Sequence, residues 1–336
     1  MSVIPADRLA GVLPVVISGG RPAIRERPVH KFLHSLHNAT ADPVWVVRDD
    51  DAAGYEPDGH EIVTYSRDWA EEYAAGHWCH VQPMQPGGFL GAFPGREAAC
   101  REAERRGCWA VLQLDDNIDR LGFWMDYASL RLIAESRGLA YFAEIIAAVL
   151  LSTNAAMAGA QLTSVAPARR EAIVARAGFC YSLFGEKVGN GRVEWQGPYE
   201  DDIMHALQYA TAPGGRTAAI IPLLRYHKEY VRKTGMRAHY DGSRAAGLQR
   251  MFPETARILN KASTSNGLGD ARIFHQMSPL ARRAPLAVTD KGLYDVTRAE
   301  IAVVMQEVAR ARDAHWRDLV TRRAARAASG SLPAVR

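Results

Sequence analysis

Two runs of acidic residues carry the strongest chemical signal in this sequence. The first, Asp115-Asp116-Asn117, directly follows the strand-like run V-L-Q-L at positions 111–114. A buried strand that ends in adjacent carboxylates loses solvation free energy unless a cation or hydrogen-bond donors compensate. Because Mg²⁺ and Mn²⁺ prefer oxygen ligands, often carboxylates together with substrate phosphates, the pattern favours a divalent-metal site. A helix cap formed by Asp116 or Asn117, without a metal, is the alternative.

The second run, Glu200-Asp201-Asp202, stands directly before a helical pattern. Ile203 and Leu207, four residues apart, predict a helix whose apolar face lies behind the acids. The carboxylates then occupy its first turn, where the positive end of the helix dipole favours their ionised form. A carboxylate held there can act as a general base toward an acceptor hydroxyl. Capping and dipole compensation need only one acid, so three in succession indicate a catalytic role.

The elements that must position these acids alternate between strand and helix over the first 115 residues. Strands are predicted at positions 12–17, 43–47, 60–65 and 109–114, and a helix at 95–107. This alternation predicts an α/β fold with a mostly parallel sheet flanked by helices. In such sheets the ligand lies beyond the carboxyl ends of the strands. Three polar segments follow predicted strands and mark that edge: residues 18–21, 48–51 and 115–117.

The rest of the chain is predicted to be richer in helix. Helices are predicted at 127–151, 243–251, 254–261 and 296–328, and strands at 179–184 and 218–222. In the last helix, apolar and neutral positions form one stripe: Ile301, Val304, Met305, Val308, Ala311, His315 and Leu319. The predicted organisation is a catalytic domain at 1–230, a helical, basic acceptor-binding part at 231–328 and a disordered tail at 329–336.

On its two acidic runs the chain resembles the GT-A glycosyltransferases, which transfer sugars from nucleotide donors. Asp115-Asp116-Asn117 resembles their strand-terminal metal motif, and Glu200-Asp201-Asp202 their acceptor-side acidic motif. The resemblance implies a GT-A (Rossmann-like) fold, with Asp201 as the catalytic base of an inverting mechanism and Asp202 as the nearest alternative. Asn117 stands where the family pattern has Asp, which weakens the ligand set and leaves Asp115, Asp116 and Asp119 to share the metal.

The same resemblance assigns roles to residues at the other strand ends. His227 resembles a downstream histidine that completes metal coordination, although a histidine after a strand is often merely structural. Ser18 and Arg21 lie in a loop that resembles the nucleotide-holding loop, and Asp49 resembles the acid that contacts uridine or ribose. Arg96, ahead of the metal motif, resembles a basic residue that meets the diphosphate. The implied cofactors are Mn²⁺ or Mg²⁺ and a nucleotide-sugar donor, most simply a UDP-sugar.

A narrower resemblance concerns the acceptor. The runs I-S-G-G-R-P, L-Q-L-D-D-N-I and Y-E-D-D are similar to the TET/JBP-associated glycosyltransferases, mostly phage enzymes that glycosylate hydroxymethylated pyrimidines in DNA. From position 221 onward the chain has 21 Lys and Arg against 10 Asp and Glu, a net charge of +11 that suits a polyanion. Candidate DNA-contacting residues are Arg232, Lys233, Arg237, Arg244 and Arg250, with Tyr240 or Trp195 stacking on an extruded base. A solvated, arginine-rich surface is the alternative.

Composition limits the remaining classes. The longest apolar stretch, at 138–152, contains Glu144 and is too short to span a bilayer, so no membrane partner is expected. The four cysteines lack a C-x-x-C pair, which fits reduced thiols in a cytoplasmic protein. A metal-dependent sugar nucleotidyltransferase would need a lysine in the glycine-rich loop after the first strand, and residues 18–22 contain none. A non-catalytic nucleic-acid-binding protein would leave both acidic runs unexplained. The oligomeric state does not follow from the sequence.

Overall fold

The structure, a computed structural model, describes residues 2–56, 59–123, 138–163, 171–175, 182–229, 246–259, 272–275 and 284–328. Its strands are β1 Val12–Ile17, β2 Val44–Arg48, β3 Glu61–Tyr65, β4 Ala110–Asp115, β5 Ile118–Phe123, β6 Ala155–Leu162, β7 Val174–Ala175, β8 Leu183–Lys187, β9 Thr217–Lys228, β10 Ala256–Leu259 and β11 Arg272–His275. Its α-helices are α1 Ala6–Ala10, α2 His30–Leu33, α3 Asp49–Ala52, α4 Arg67–Gly76, α5 Phe93–Arg105, α6 Gly138–Ser152, α7 Asp201–Thr211, α8 Ala246–Met251 and α9 Lys291–Ala328.

One sheet organises the described part of the chain, in the order β3-β2-β1-β4-β8-β6-β9-β5, with β7 paired to β9. The first four strands in this order are parallel, as the strand-helix alternation predicts. Beyond them β8 runs antiparallel to both β4 and β6, whereas β6 and β9 pair in parallel. Strand β5 closes the order as an antiparallel partner of β9. The predicted α/β class, with a sheet flanked by helices, is confirmed.

Helices cover both faces of this sheet, so its strands are apolar on both sides. Successive side chains of β1 point to opposite faces: Val12 and Val16 join the cluster that contains α6, and Leu13 and Val15 join the cluster that contains α5. Helix α6 is apolar nearly all round, as expected of a helix buried between two layers. The two clusters hold the carboxyl ends of the parallel strands in fixed positions.

Several predicted elements differ from the structure. Strand β9 extends to Lys228, through the polar run at 225–228, whereas the predicted strand ends at position 222. Strand β10 lies where a helix at 254–261 is predicted, because this segment pairs antiparallel with β11. Strands β5 and β6 are not predicted at all. The predicted elements at 127–151, 179–184 and 243–251 lie partly outside the described residues, as does the tail at 329–336.

The last helix, α9, starts five residues before its predicted position and packs on the core over its first half only. Ile301, Val304 and Val308 are buried in the cluster that contains α6. Further along, the predicted stripe is not buried, because Ala311 and His315 are exposed. The second half of the helix therefore lies at the surface. Of the helices in the described ranges, none combines the length and apolar character needed to cross a membrane.

Candidate active site

The carboxyl ends of β1, β2 and β4 meet at one edge of the sheet. The register of β1 and β4 pairs Ile17 with Asp115, so the residues that follow these strands are neighbours. Ser18 Oγ donates a hydrogen bond to Asp116 Oδ2 at 2.9 Å. The structure thus brings together two of the segments that the sequence analysis assigns to this edge.

The loop after β1 folds over Asp116. Arg21 Nη1 forms an ion pair with Asp116 Oδ1 at 2.7 Å. The hydroxyl of Tyr55 lies 2.9 Å from Ser18 Oγ and accepts a hydrogen bond from the backbone N–H of Arg21 at 3.1 Å. Gly20, with a φ of +64°, donates its N–H to Asp51 Oδ2 at 3.1 Å. This arrangement fixes a cation and several donors above the end of β4.

The acid that reaches this loop from β2 is Asp51. Asp49, the residue named from the sequence, accepts hydrogen bonds on Oδ1 from the backbone N–H groups of Asp50 and Arg67, at 2.8 and 2.9 Å. It thereby ties the end of β2 to the start of α4. Of the two acids, Asp51 is the one that contacts the loop after β1.

Arg96, in the first turns of α5, joins the two acidic runs. Its Nε donates to Asp201 Oδ2 at 2.9 Å, and its Nη2 donates to Asp115 Oδ1 at 3.1 Å. The side chain is only 6% exposed, and the guanidinium lies over the Trp195 ring, 5.3 Å from the centroid. Burial acts to lower the pKa of Arg96, but Asp115 and Asp201 outweigh it and raise the pKa. Asp115 of the first acidic run and Asp201 of the second are thus joined through this arginine.

Asp115 lies between two cations. Besides Arg96, it accepts a hydrogen bond on Oδ2 from Lys228 Nζ at the end of β9. Lys228 also donates to Ser182 Oγ at 3.0 Å. Burial acts to raise the pKa of Asp115, but Lys228 and Arg96 outweigh it and lower the pKa to about 2. Asp115 is therefore ionised and fully paired at neutral pH.

Asp116 and Asp201 have pKa shifts in the opposite direction. Burial raises the pKa of Asp116, and the neighbouring charge of Arg21 only partly offsets it. Burial also raises the pKa of Asp201 to about 6, with Arg96 opposing the shift and Asp202 adding to it. A carboxylate with a pKa near the working pH meets the requirement for a general base.

The start of α7 places Asp201 and Asp202 in different surroundings. Glu200 precedes the helix with a φ of 55°, a left-handed conformation that non-glycine residues rarely adopt. Asp201 points inward and is buried, whereas Asp202 is half-buried and accepts a hydrogen bond from the backbone N–H of Ile203 at 2.8 Å. Of the three acids, Asp201 is the one shown to contact Arg96.

A buried polar cluster that the sequence analysis missed joins α7 to β8 of the sheet. Glu186 of β8 lies 2.6 Å from His205 Nε2 and accepts hydrogen bonds from the Tyr209 hydroxyl at 2.7 Å and Trp195 Nε1 at 3.2 Å. All four side chains are buried. His205 follows Asp201 by four residues on the same helix, so this cluster fixes the rotation of α7. The sequence signal was the i, i+4, i+8 spacing of Asp201, His205 and Tyr209.

The predicted metal ligands are engaged with other partners. His227 lies within β9 rather than after it, paired with Arg120 of β5, and its Nδ1 is 2.6 Å from Asp119 Oδ1. Asn117 donates its side-chain N–H to the carbonyl of Glu229 at 3.4 Å. Within the described ranges, no three His, Cys, Asp or Glu side chains come together in a way that could hold a metal ion. As paired here, the predicted residues do not offer a divalent cation its ligand set.

Two of the proposed DNA contacts fall within the described residues. Trp195 is completely buried and stacks on His205 with ring centroids 3.8 Å apart, so it cannot stack on an extruded base and that prediction is wrong. Arg250, at the end of α8, is exposed. The other candidates, Arg232, Lys233, Arg237, Tyr240 and Arg244, lie outside the described residues.

Comparison with solved structures gives distant likenesses. No protein-family model matches the chain, and no curated protein matches its sequence. A crystal structure of a mycobacterial protein is similar at 10% identity and a TM-score of 0.44, covering 83% of this chain and 92% of that one. The crystal structure of mannosyl-3-phosphoglycerate synthase from Rubrobacter xylanophilus is similar at 12% identity and a TM-score of 0.39, covering 79% and 86%. Likenesses at these TM-scores do not decide the activity of the chain.

Proposed function

We propose that this protein transfers a sugar from a nucleoside diphosphate sugar, of the UDP type, to an acceptor hydroxyl. One observation carries the proposal: Arg96 bonds both Asp115 at the end of β4 and Asp201 at the start of α7. The ligand-binding edge of the sheet and a carboxylate suited to accept a proton therefore share one site. The sequence resemblance to the GT-A glycosyltransferases supports the same reaction.

The donor would lie over the loop after β1. Arg21 places a guanidinium at the end of β4, where a diphosphate can accept its hydrogen bonds. Asp51, held by the N–H of Gly20, stands beside the same loop and can accept hydrogen bonds from a ribose. Arg21 would therefore bind the diphosphate of the donor, and Asp51 would bind its ribose.

The acceptor hydroxyl would approach Asp201. In the reaction the hydroxyl oxygen bonds to the anomeric carbon of the sugar while the bond from that carbon to the diphosphate breaks. The proton of the hydroxyl passes to the Asp201 carboxylate, whose pKa of about 6 leaves it ionised at neutral pH. Displacement of this kind, at one face of the sugar, inverts the anomeric configuration.

The proposed acceptor is a hydroxymethylated pyrimidine in DNA. The basic balance from position 221 onward, 21 Lys and Arg against 10 Asp and Glu, supports a polyanionic partner. Arg250 and the exposed arginines of α9 are described residues that could bind phosphates: Arg310, Arg317, Arg322 and Arg323. The resemblance to the DNA-modifying branch adds the base and its hydroxymethyl group.

The test is mass spectrometry of DNA, with and without hydroxymethylated pyrimidines, after incubation with a panel of nucleotide sugars. We expect a hexose mass added only to the modified DNA, and only with one class of donor. The same assay on Asp116→Asn and Asp201→Asn should show loss of transfer, and turnover like wild type in both would refute the assignment. Absence of a calorimetric signal with UDP would instead favour a non-catalytic DNA-binding protein.

A further inference from the structure

We infer that Lys228 and Arg21, rather than a divalent metal, neutralise the charge that develops on the departing diphosphate. This inference rests on the proposed glycosyl transfer. It starts from a disagreement between the metal motif expected from the sequence and the pairing of the same acids in the structure. Lys228 takes no part in that expectation, which uses only its neighbour His227.

Each oxygen of the two strand-end carboxylates already accepts from a donor. On Asp115, Arg96 Nη2 donates to Oδ1 at 3.1 Å and Lys228 Nζ donates to Oδ2. On Asp116, Arg21 Nη1 donates to Oδ1 at 2.7 Å and Ser18 Oγ donates to Oδ2 at 2.9 Å. A metal would have to displace a side-chain cation from either carboxylate before binding it.

The charges of these pairs also cancel. Asp115, Asp116 and Asp201 are matched by three cations, Arg21, Arg96 and Lys228. A divalent cation is attracted to an excess of carboxylate charge, and these paired groups leave none among themselves. Asp202, a further carboxylate that acts on Asp201, accepts a hydrogen bond from the N–H of Ile203. A diphosphate, in contrast, is attracted to Arg21 and Lys228. Their partners, Asp116 and Asp115, have short side chains that stay close to the end of β4.

The cations at this site are more exposed than the carboxylates they pair with, which favours the binding of an anion. Arg21 is 22% exposed and Lys228 is 27% exposed, against 8% for Asp116 and 20% for Asp115. Arg96 is buried and links the carboxylates, so it is not the group that an incoming ligand meets first. An anion arriving at the end of β4 therefore meets an ammonium and a guanidinium.

The reaction balances with these groups alone. When the bond between the anomeric carbon and the diphosphate breaks, its electron pair stays on the β-phosphate oxygen, and Lys228 and Arg21 donate hydrogen bonds to the oxygens that gain charge. The acceptor oxygen forms the new bond, and its proton goes to Asp201. Fixed cations at a site of developing charge stabilise the transition state without reorganisation. Lysine serves as a point charge for phosphate, and arginine as a planar, bidentate donor.

The first experiment uses the wild-type protein and needs no variant. Sugar transfer is measured after exhaustive treatment with EDTA, and again after addition of Mn²⁺ or Mg²⁺. We expect equal rates. Calorimetric titration with UDP in the same two buffers should give the same affinity. Loss of both transfer and UDP binding in EDTA, restored by Mn²⁺, would overturn the inference and leave the glycosyltransferase assignment intact.

The second experiment tests the lysine. Lys228→Met should lower kcat by roughly 10²–10³-fold, the effect of removing one electrostatic donor, with kcat/KM falling in proportion. Lys228→Arg keeps the charge and should recover part of the loss. Lys291→Met, which removes an exposed ammonium paired with Asp295 on α9, is the matched control and should behave like wild type. Circular dichroism establishes that each variant is folded.

The failures of the two proposals are distinguishable. Transfer by a folded Lys228→Met protein at the wild-type rate refutes the role of Lys228 alone. Absence of both UDP binding and transfer with any donor, in wild-type protein and in either buffer, refutes the proposed function and this inference with it.

Discussion

Asp201 and Asp202 are adjacent acids on one helical turn, and their surroundings differ. Asp201 is buried against Arg96, whereas Asp202 is half-buried and bonds the N–H of Ile203. We therefore predict that Asp201→Asn lowers kcat by about 10²–10⁴-fold, the range for loss of a general base. Asp202→Asn, the matched control, should cost much less. Steady-state kinetics of sugar transfer compare the two variants. Equal losses of kcat would contradict the prediction that the buried Asp201, and not Asp202, is the general base.

The pKa of Asp201 predicts the pH dependence of the wild-type reaction. Burial raises this pKa to about 6, so the base is lost as the pH falls through about 6, and log(kcat/KM) should decline with unit slope below that pH. The pH profile of kcat/KM measures this directly. A profile that stays flat down to pH 4, the ordinary range of an aspartate, would contradict it.

The pKa shifts of Asp201 and Asp115 change the stability of the fold with pH in opposite directions. Between the ordinary pKa of 3.8 and about 6, folded Asp201 holds a proton that the unfolded chain has released, so its contribution to stability falls as the pH rises through this window. For Asp115 the folded pKa is about 2, below the ordinary 3.8, so its contribution is present above that range and is lost as the pH falls toward 2.

At the residue scale, the sequence identifies the acids but not their partners. Both acidic runs are visible because consecutive carboxylates are chemically unusual beside apolar segments. The arginine that joins them, Arg96, is 105 residues from Asp201 along the chain. The family resemblance names it as a diphosphate contact, but no local pattern indicates that it bonds both acidic runs. Lys228 was overlooked for the same reason: it pairs with a carboxylate 113 residues away.

The segment that leads into α7 provides a test at the scale of elements. Gly197 packs so closely on α5 that a Cβ built on it would lie 2.2 Å from the Phe93 ring. We predict that Gly197→Ala destabilises the fold by about 1–3 kcal/mol through overpacking. The control is Gly76→Ala in α4, where a Cβ meets no atom within 4 Å. That variant should be neutral or slightly stabilising. Urea unfolding measures both, and equal midpoints would contradict the close packing.

The cluster beneath α7 makes a second prediction at this scale. Glu186→Gln replaces a completely buried carboxylate that bonds His205, Tyr209 and Trp195, and should cost about 1–3 kcal/mol, the range for leaving a buried polar group without its hydrogen-bond partner. Glu194→Gln is the control, because Glu194 is 51% exposed and pairs with His77 and Arg101 at the surface. It should cost no more than about 1 kcal/mol. Thermal and urea unfolding compare the two variants, and similar losses would show that the buried cluster does not hold α7.

The elements themselves were predictable where their residues are strongly patterned. Strands β1, β2 and β4 are apolar runs buried on both faces, and their bounds agree with prediction to within one or two residues. Strand β6, A-A-M-A-G-A-Q-L, has no strand propensity of its own and is a strand because β8 and β9 pair with it. Strand β10 exists through pairing with β11, which overrides the local helical pattern.

At the scale of the whole molecule, the net charge is +11 from position 221 onward and +4 for the whole sequence, so the first part is acidic. Charge does not show how the two parts are joined. In the described structure the two parts are joined in several places: β9 pairs with β5 and β6, and α9 packs on the core through Ile301, Val304 and Val308. The apolar stripe of this helix predicts that it packs, yet the burial stops at Val308 although the pattern continues to Leu319. How far the stripe is buried depends on how far the core surface extends beneath the helix, and the local sequence of the helix does not indicate that extent.

This division of α9 makes a prediction for the whole chain. A chain that ends after Arg312 loses only exposed or half-exposed described side chains, so its urea midpoint should equal that of the full-length protein. Ile301→Ala, the matched core variant on the same helix, should cost about 2–5 kcal/mol.

If the helix end binds DNA, the shortened chain also lacks the guanidinium groups of Arg317, Arg322 and Arg323, which would neutralise phosphates. The slope of log K against log salt should then become shallower by about 0.9 for each phosphate that the shortened chain no longer neutralises. Fluorescence anisotropy with duplex DNA across a salt series measures that slope, and an unchanged slope would place the phosphate-binding residues elsewhere on the basic part.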